Sequence, residues 1–325
     1  MKTINTALVL ASAAAPGAAL ASEPIYSNAS AQPHVPALAA AASTGGGTPA
    51  PGGGSWSEVS GAGAFEANSL AGASGHAAAN VDYRLADDVV VTGTSGWTID
   101  EVWLYAYQPG YEGTASPFAG ATLRIWSGVP GASGSWVVWG DAATDRLTSA
   151  AFTDVYRVFD TEAGPLATPS DTSRRVFRLT LNVDAYLPPG AYWLDWQVTS
   201  ATPGAGVFFP TATIDGLRTR AGWNAVQATG GVWSPLMDAG KPEHAVDVAQ
   251  DLPFILTGTV TTPCTDIDFN NDGLYPDNLD LQDFIAVFGG ADCPGCDSID
   301  FNGDGLFPDN EDIFAFFRVF GGGDC

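Results

Sequence analysis

The chain has 325 residues and a formal charge of −24, from 36 Asp and Glu against 12 Lys and Arg. That length suits about two domains, and so acidic a chain excludes nucleic acid as a natural partner, because phosphate binding needs clustered cations. Hydrophobic residues make up 46% of the chain and charged residues only 15%, enough to build a sizeable core.

Lys2 precedes an apolar run from Ala7 to Ala15, and Ala19, Leu20 and Ala21 follow as small residues at a cleavage point. This pattern predicts a secretory signal peptide over residues 1–21, cut after Ala21, and so a secreted, extracellular protein. No other run approaches the roughly 18 apolar residues of a membrane-crossing helix, and no transmembrane segment is expected. Residues 22–55 are dominated by Ala, Pro, Gly, Ser and Thr. Such a composition buries too little surface to offset its ordering entropy, and it predicts a disordered leader. His34 lies in it and carries no site.

Residues 56–260 change character. Trp, Tyr, Phe, Val and Thr dominate, broken at short intervals by Gly, Pro, Asn or Asp. Apolar and polar residues alternate over 97–107, 121–126, 176–183 and 191–198, and 252–260 reads as a closing strand. These are strands with one buried face. Together they predict a mainly β fold, a jelly-roll-like antiparallel β-sandwich. The pieces Ala86–Val89, Trp97–Ile99, Leu123–Trp126 and Gly190–Trp196 resemble a β-sandwich module of secreted bacterial proteins that carry C-terminal sorting or docking modules. That resemblance implies the fold and no defined chemistry.

The sandwich stretch contains no G-x-S-x-G, no H-E-x-x-H and no Cys. His76 and His244 are its two histidines, and both read as solvated loop residues. A glycosidase needs two carboxylates across one cleft, and the strand candidates are Asp100, Glu101 and Asp195. Adjacent strand residues face opposite ways, so Asp100 and Glu101 do not form that pair. Asp195, between Trp193 and Trp196, is left as the one catalytic candidate. The expectation is a non-catalytic protein, with a carbohydrate-active enzyme as the alternative. Trp136, Trp223 and Trp233 lie in turn-rich segments and are expected to expose ring faces for stacking on a ligand such as a polysaccharide.

Residues 264–325 are one 30-residue unit written twice, with 19 of 30 positions identical and no gap. Each copy carries D-x-N-x-D-G: Asp268, Asn270, Asp272, Gly273, then Asp300, Asn302, Asp304, Gly305. Alternate residues of a tight loop can turn carboxylate and amide oxygens toward one hard cation. The Leu274 and Leu306 carbonyls would add to each set, and Asp280 and Asp312 would close it. Asp277, Asp309 and Glu311 stand as further donors. Two bound Ca²⁺ ions are expected. Leu281, Phe284, Ile285 and Phe288, and likewise Ile313, Phe316, Phe317 and Phe320, fall at helical spacing behind each loop, with Gly289 and Gly321 as C-caps. The repeat holds 13 Asp and Glu311 against Arg318 alone, so most of the chain's acidity is a cation site.

All four cysteines lie in this repeat: Cys264, Cys293, Cys296 and Cys325. They predict two disulfides. Symmetry allows Cys264–Cys293 with Cys296–Cys325, or Cys264–Cys325 with Cys293–Cys296. Duplicated D-x-N-x-D-G loops, each followed by one short helix, resemble a dockerin domain. The Cys-bounded, Gly-Gly-ended form resembles dockerin-like modules at the C-termini of secreted bacterial proteins. The resemblance implies a small α-helical, calcium-ordered domain that docks onto a cohesin-like scaffold or cell-surface partner. It also implies a pseudo-two-fold axis that favours the second cysteine pairing, and recognition residues near Asp277-Asn278 and Asp309-Asn310.

Overall fold

The computed structural model describes residues 23–30, 32–59, 66–77, 81–92, 96–159, 172–260, 264–274, 276–303 and 308–322. The expected signal peptide, Asp304, Leu306 and Cys325 lie outside them. In chain order the strands are β1 Pro24–Ser27, β2 Ala40–Ala41, β3 Ser55–Glu58, β4 Ala73–Ser74, β5 Tyr83–Val91 and β6 Trp97–Ala106. There follow β7 Phe118–Ser127, β8 Trp136–Asp141, β9 Leu147–Val158, β10 Arg175–Leu187, β11 Gly190–Ser200 and β12 Phe208–Phe209. The last are β13 Val226–Thr229, β14 Val232–Pro235, β15 Met237–Asp238, β16 Val248–Ala249 and β17 Phe254–Val260.

Among the described residues, a seven-stranded sheet runs β1-β17-β6-β10-β9-β3-β2 and a six-stranded sheet runs β14-β13-β5-β11-β7-β8. The two sheets pack face to face as a β-sandwich, and every pairing between named strands is antiparallel except that of β3 with β9. Every alternating run read from the sequence falls in a strand, save that Tyr107 lies one residue past β6. The inward positions meet in one core: Leu85 and Val89, Leu123 and Ile125, Leu194 and Trp196 from one sheet, against Val102 and Leu104, Leu179 and Leu181, and Leu256 from the other. Each such side chain, fully buried, contributes about 1.5–3 kcal/mol of transfer free energy. One glycine is demanded by the ladder. At Gly258 the register between β17 and β6 shifts, φ is +150°, and a Cβ would lie 2.0 Å from the Thr98 carbonyl oxygen.

The disordered leader expected over residues 22–55 is corrected by the structure, because most of it belongs to the sandwich. β1 pairs antiparallel with β17, through Tyr26 opposite Leu256 and Ser27 opposite Ile255. β3 pairs parallel with β9, from Ser55 opposite Val155 to Glu58 opposite Val158. Trp56 is 0% exposed and its indole N–H donates to the Thr48 carbonyl at 3.1 Å. Leu38 packs with Tyr105, Val176 and Ile255. Arg157, fully buried on β9, fastens the segment from below. Its Nη1 donates to Ser57 Oγ at 2.9 Å and Thr213 Oγ1 at 2.7 Å, and its Nε donates to the Ala71 carbonyl at 2.9 Å. Desolvation pulls the Arg157 pKa down to about 10, against the opposing pull of Tyr107 and Asp238. Composition missed this because the segment has no core of its own. It adds edge strands and a few anchors to sheets that are already formed.

His76 also departs from expectation. It is buried, with Nδ1 3.1 Å from both the Val207 amide nitrogen and carbonyl oxygen, and its ring lies against Tyr83 and Phe208. His244 is exposed, as a loop histidine should be.

The tail has two helices, α1 Asn278–Phe288 and α2 Asn310–Phe320. Both start at an Asp N-cap and end at Gly289 or Gly321, with the next glycines, Gly290 and Gly322, at φ +93° and +84°. A residue with a Cβ rarely takes that left-handed turn. The two copies pack about a pseudo-two-fold. Phe284 and Phe316 stack with centroids 3.9 Å apart, and Phe269 and Phe301 meet their own helix's Phe edge-on at 5.3 and 5.1 Å. Backbone bonds repeat the symmetry: Thr265 N–H donates to Phe301 O and Asp297 N–H to Phe269 O, both at 2.9 Å. Cys293 is bonded to Cys296, which excludes the alternative pairing of each with a terminal cysteine. Cys264 is disulfide-bonded as well.

Candidate metal centre and ligand face

The first tail loop is wound by its own side chains. Asp268 Oδ1 accepts the Asp272 N–H at 3.0 Å and Oδ2 accepts the Gly273 N–H at 2.9 Å. Asn270 Oδ1 accepts the Asp272 N–H at 3.1 Å, and Asp272 Oδ1 the Leu274 N–H at 2.8 Å. Asp280 closes the loop from α1. It is 0% exposed, takes the Asn270 N–H on Oδ1 at 3.4 Å and the Asp277 N–H on Oδ2 at 2.8 Å. Asp312 repeats this with Asn302 at 3.3 Å and Asp309 at 2.9 Å, and is equally buried.

Asp277 and Asp309, expected as further metal donors, serve as helix N-caps. Their side chains accept the N–H of Leu279 and Glu311 at 2.6 and 2.8 Å, each in a capping box with Asp280 or Asp312. Capping of this kind contributes about 1 kcal/mol. The structure also brings up an acid that sequence reasoning passed over. Asp283 Oδ2 accepts the Asn270 side-chain amide at 3.1 Å. Its signal was present, one turn past Asp280 on the same helix face. Among the described residues no three His, Cys, Asp or Glu side chains gather tightly enough to hold a metal as they stand. The donor chemistry nonetheless suits a hard cation. It is all oxygen and presented at alternate positions, and each loop is closed by a carboxylate withheld from water.

The sandwich holds a second candidate on the outer face of its six-stranded sheet. Asp195 on β11 is 0% exposed although it points away from the core. Arg84 Nε reaches its Oδ1 at 2.6 Å, and Arg124 Nε reaches Oδ2 at 2.7 Å. The Trp126 indole N–H adds a bond to Oδ2 at 3.0 Å. With both oxygens taken, Asp195 is a counter-ion rather than a free acid or nucleophile. Asp100 and Glu101 lie on β6, in the other sheet, so no cleft pairs them with it.

Beside this ion pair runs a trough of about 420 Å³, lined by Arg84, Arg124, Gln197, Trp126 and Trp233 with small residues between them. The three tryptophans singled out by sequence therefore part company. Trp233 is half-buried and lines the trough. Trp136 is 59% exposed on β8, at the end of the sheet and away from the trough. Trp223 is only 6% exposed, packed with Ala37 and Ala212 under the N-terminal segment, so its expected exposure is corrected.

No protein-family model, curated protein or solved structure matches this chain. Its functional reading therefore rests on residues and geometry. Sequence alone missed Trp126, Arg84 and Arg124, because the register that aligns them appears only once β5, β11 and β7 are paired. Trp126 opposes Trp193, and Asp195 opposes Arg124 on one side and Ala86 on the other. Among the described residues no helix is long and apolar enough to cross a membrane.

Proposed function

We propose that this is a secreted, non-catalytic attachment protein. Its β-sandwich presents a surface or binds a ligand, and its dockerin-like tail binds calcium and docks onto a scaffold or cell-surface protein of cohesin type. The observation that carries the reading is the duplicated placement of Asp280 and Asp312. Each is fully buried, ten residues past a loop asparagine whose N–H it accepts, at the start of a helix. Two carboxylates buried in the same manner in so small a unit are costly unless a cation compensates them.

In this reading Asp268, Asn270, Asp272, the Leu274 carbonyl and Asp280 hold one calcium. Asp300, Asn302, Asp304, the Leu306 carbonyl and Asp312 hold the other. Glu311 is a reserve donor at the second. The ion supplies charge compensation, and the chain supplies the ordering. Because the ion binds the folded tail and not the unfolded one, saturating it adds stability, about 2.7 kcal/mol at a hundredfold excess over Kd. The test is thermal unfolding of the full chain with calcium or with chelator. A tail transition that rises in calcium, and no longer does so in an Asp280→Ala/Asp312→Ala double variant, supports the reading. A transition indifferent to calcium refutes it.

A further inference from the structure

We propose that the trough on the outer face of the six-stranded sheet binds a neutral polysaccharide chain. The inference rests on the reading that the sandwich is the ligand-bearing part of the molecule, and it names where and what that part binds.

The outer face of a solvated sheet ordinarily carries mixed, mobile polar side chains. This one does not. Across it run Val226, Ala86, Asp195, Arg124 and Gly140 in one register row, since Val226 opposes Ala86, Ala86 opposes Asp195, Asp195 opposes Arg124 and Arg124 opposes Gly140. The neighbouring row places Trp233 opposite Ala228 and Ala228 opposite Arg84. The small residues Gly131, Ala142, Ala228 and Gly231 line the hollow, with Trp126 and Trp233 beside them. The loop after β7 is fitted to one of them. Gly131 has φ +78°, and a Cβ there would meet the Trp233 ring at 2.7 Å.

The polar groups of the trough are held before any ligand arrives. Arg84 is fixed by Asp195 and by Thr122 Oγ1 at 3.1 Å. Arg124 is fixed by Asp195 and lies over the Trp126 ring, 5.1 Å from its centroid, with its side chain still 22% exposed. Gln197 donates to Asp82 and to the Tyr83 carbonyl. Planar, preset donors and acceptors beside indole faces suit a sugar ring. Arg124, whose side chain is still 22% exposed, can bond the hydroxyls of a sugar whose C–H face lies on the Trp233 indole. The volume is that of a small-molecule site.

The charge balance selects the class of sugar. Arg84 and Arg124 are matched by Asp195 and Asp82, so the trough carries no net charge. The chain as a whole is at −24, which repels an anionic polymer. A neutral glycan is the ligand that meets both conditions.

The experiment is affinity electrophoresis of the full chain through gels containing soluble β-glucan, xylan or mannan, with polygalacturonate as the anionic arm, all in chelator. Retardation by at least one neutral glycan is expected, weakened about tenfold or more by Trp233→Ala and left within twofold by Tyr186→Ala on the other sheet. Trp126→Phe, which keeps a ring but loses the bond to Asp195, should weaken binding less than Trp233→Ala. Glycan-induced change in tryptophan fluorescence provides a second readout, and unfolding midpoints confirm that the variants fold. Retardation by polygalacturonate alone, by no polymer, or without loss in Trp233→Ala would overturn the proposal. Because chelator is present throughout, the trough can fail while the calcium reading stands, and the reverse.

Discussion

Asp195 shows how much one residue's role depends on what surrounds it. Alone in the sequence it is a carboxylate between two tryptophans. In the fold it is the shared counter-ion of Arg84 and Arg124, with no exposed oxygen. Removing one member of a buried ion network leaves the others charged and unpaired, so Asp195→Ala should destabilise the sandwich by about 3–5 kcal/mol in equilibrium denaturation. A cost near zero would mean that the cluster is open to water. Asp251 gives a different test at the same scale. Burial, with the nearby Asp88 charge adding to it, pushes its pKa up to about 6, and Asp87 is raised by burial and by Asp251 itself. A carboxyl with a folded pKa above its unfolded value holds more protons in the folded state. Its contribution to stability therefore falls as pH rises between about 4 and about 6. Asp251→Asn keeps an acceptor for the Asn224 N–H and removes the titration. The variant should gain on the wild type as pH rises through that window, measured as melting temperature at pH 4 and pH 7. A constant difference across the window would refute the assignment.

At the scale of elements, alternation was enough to place β6, β7, β10 and β11, because each turns one set of side chains into the core between the sheets. Helical spacing placed α1 and α2 through Phe284 and Phe316, which are buried, whereas Ile285 and Phe317 of the same spacing stand exposed. What escaped was anything whose partner lies far away in sequence. β1 and β3 are short, their alternation is lost among Ala, Gly and Pro, and their hydrogen bonds go to strands roughly 100 to 230 residues on. The trough escaped likewise, since register is not written in any single strand. The N-terminal segment offers the sharpest check. If residues 22–55 were a loose leader, Leu38→Ala would cost nothing. Buried as it is, the substitution should cost about 2–5 kcal/mol. Protection of the segment from proteolysis in the wild type, lost in the variant, would give the same answer by another route.

The whole molecule divides its chemistry by composition. The sandwich is low in charge, closed by two sheets, and carries its polar groups in paired, buried positions. The tail concentrates acid in its two repeats around a cluster of four phenylalanines, a core too small to oppose that charge by packing alone. A disulfide between Cys293 and Cys296 pins the junction of the copies, and the symmetry makes each loop the other's support. The proposed attachment role therefore depends on two cations. Isothermal titration of calcium into the chelator-stripped full chain tests it most directly. Two ions per chain are expected, reduced to one by Asp268→Ala/Asp280→Ala. Absence of binding heat, or a stoichiometry that the double substitution leaves unchanged, would contradict it.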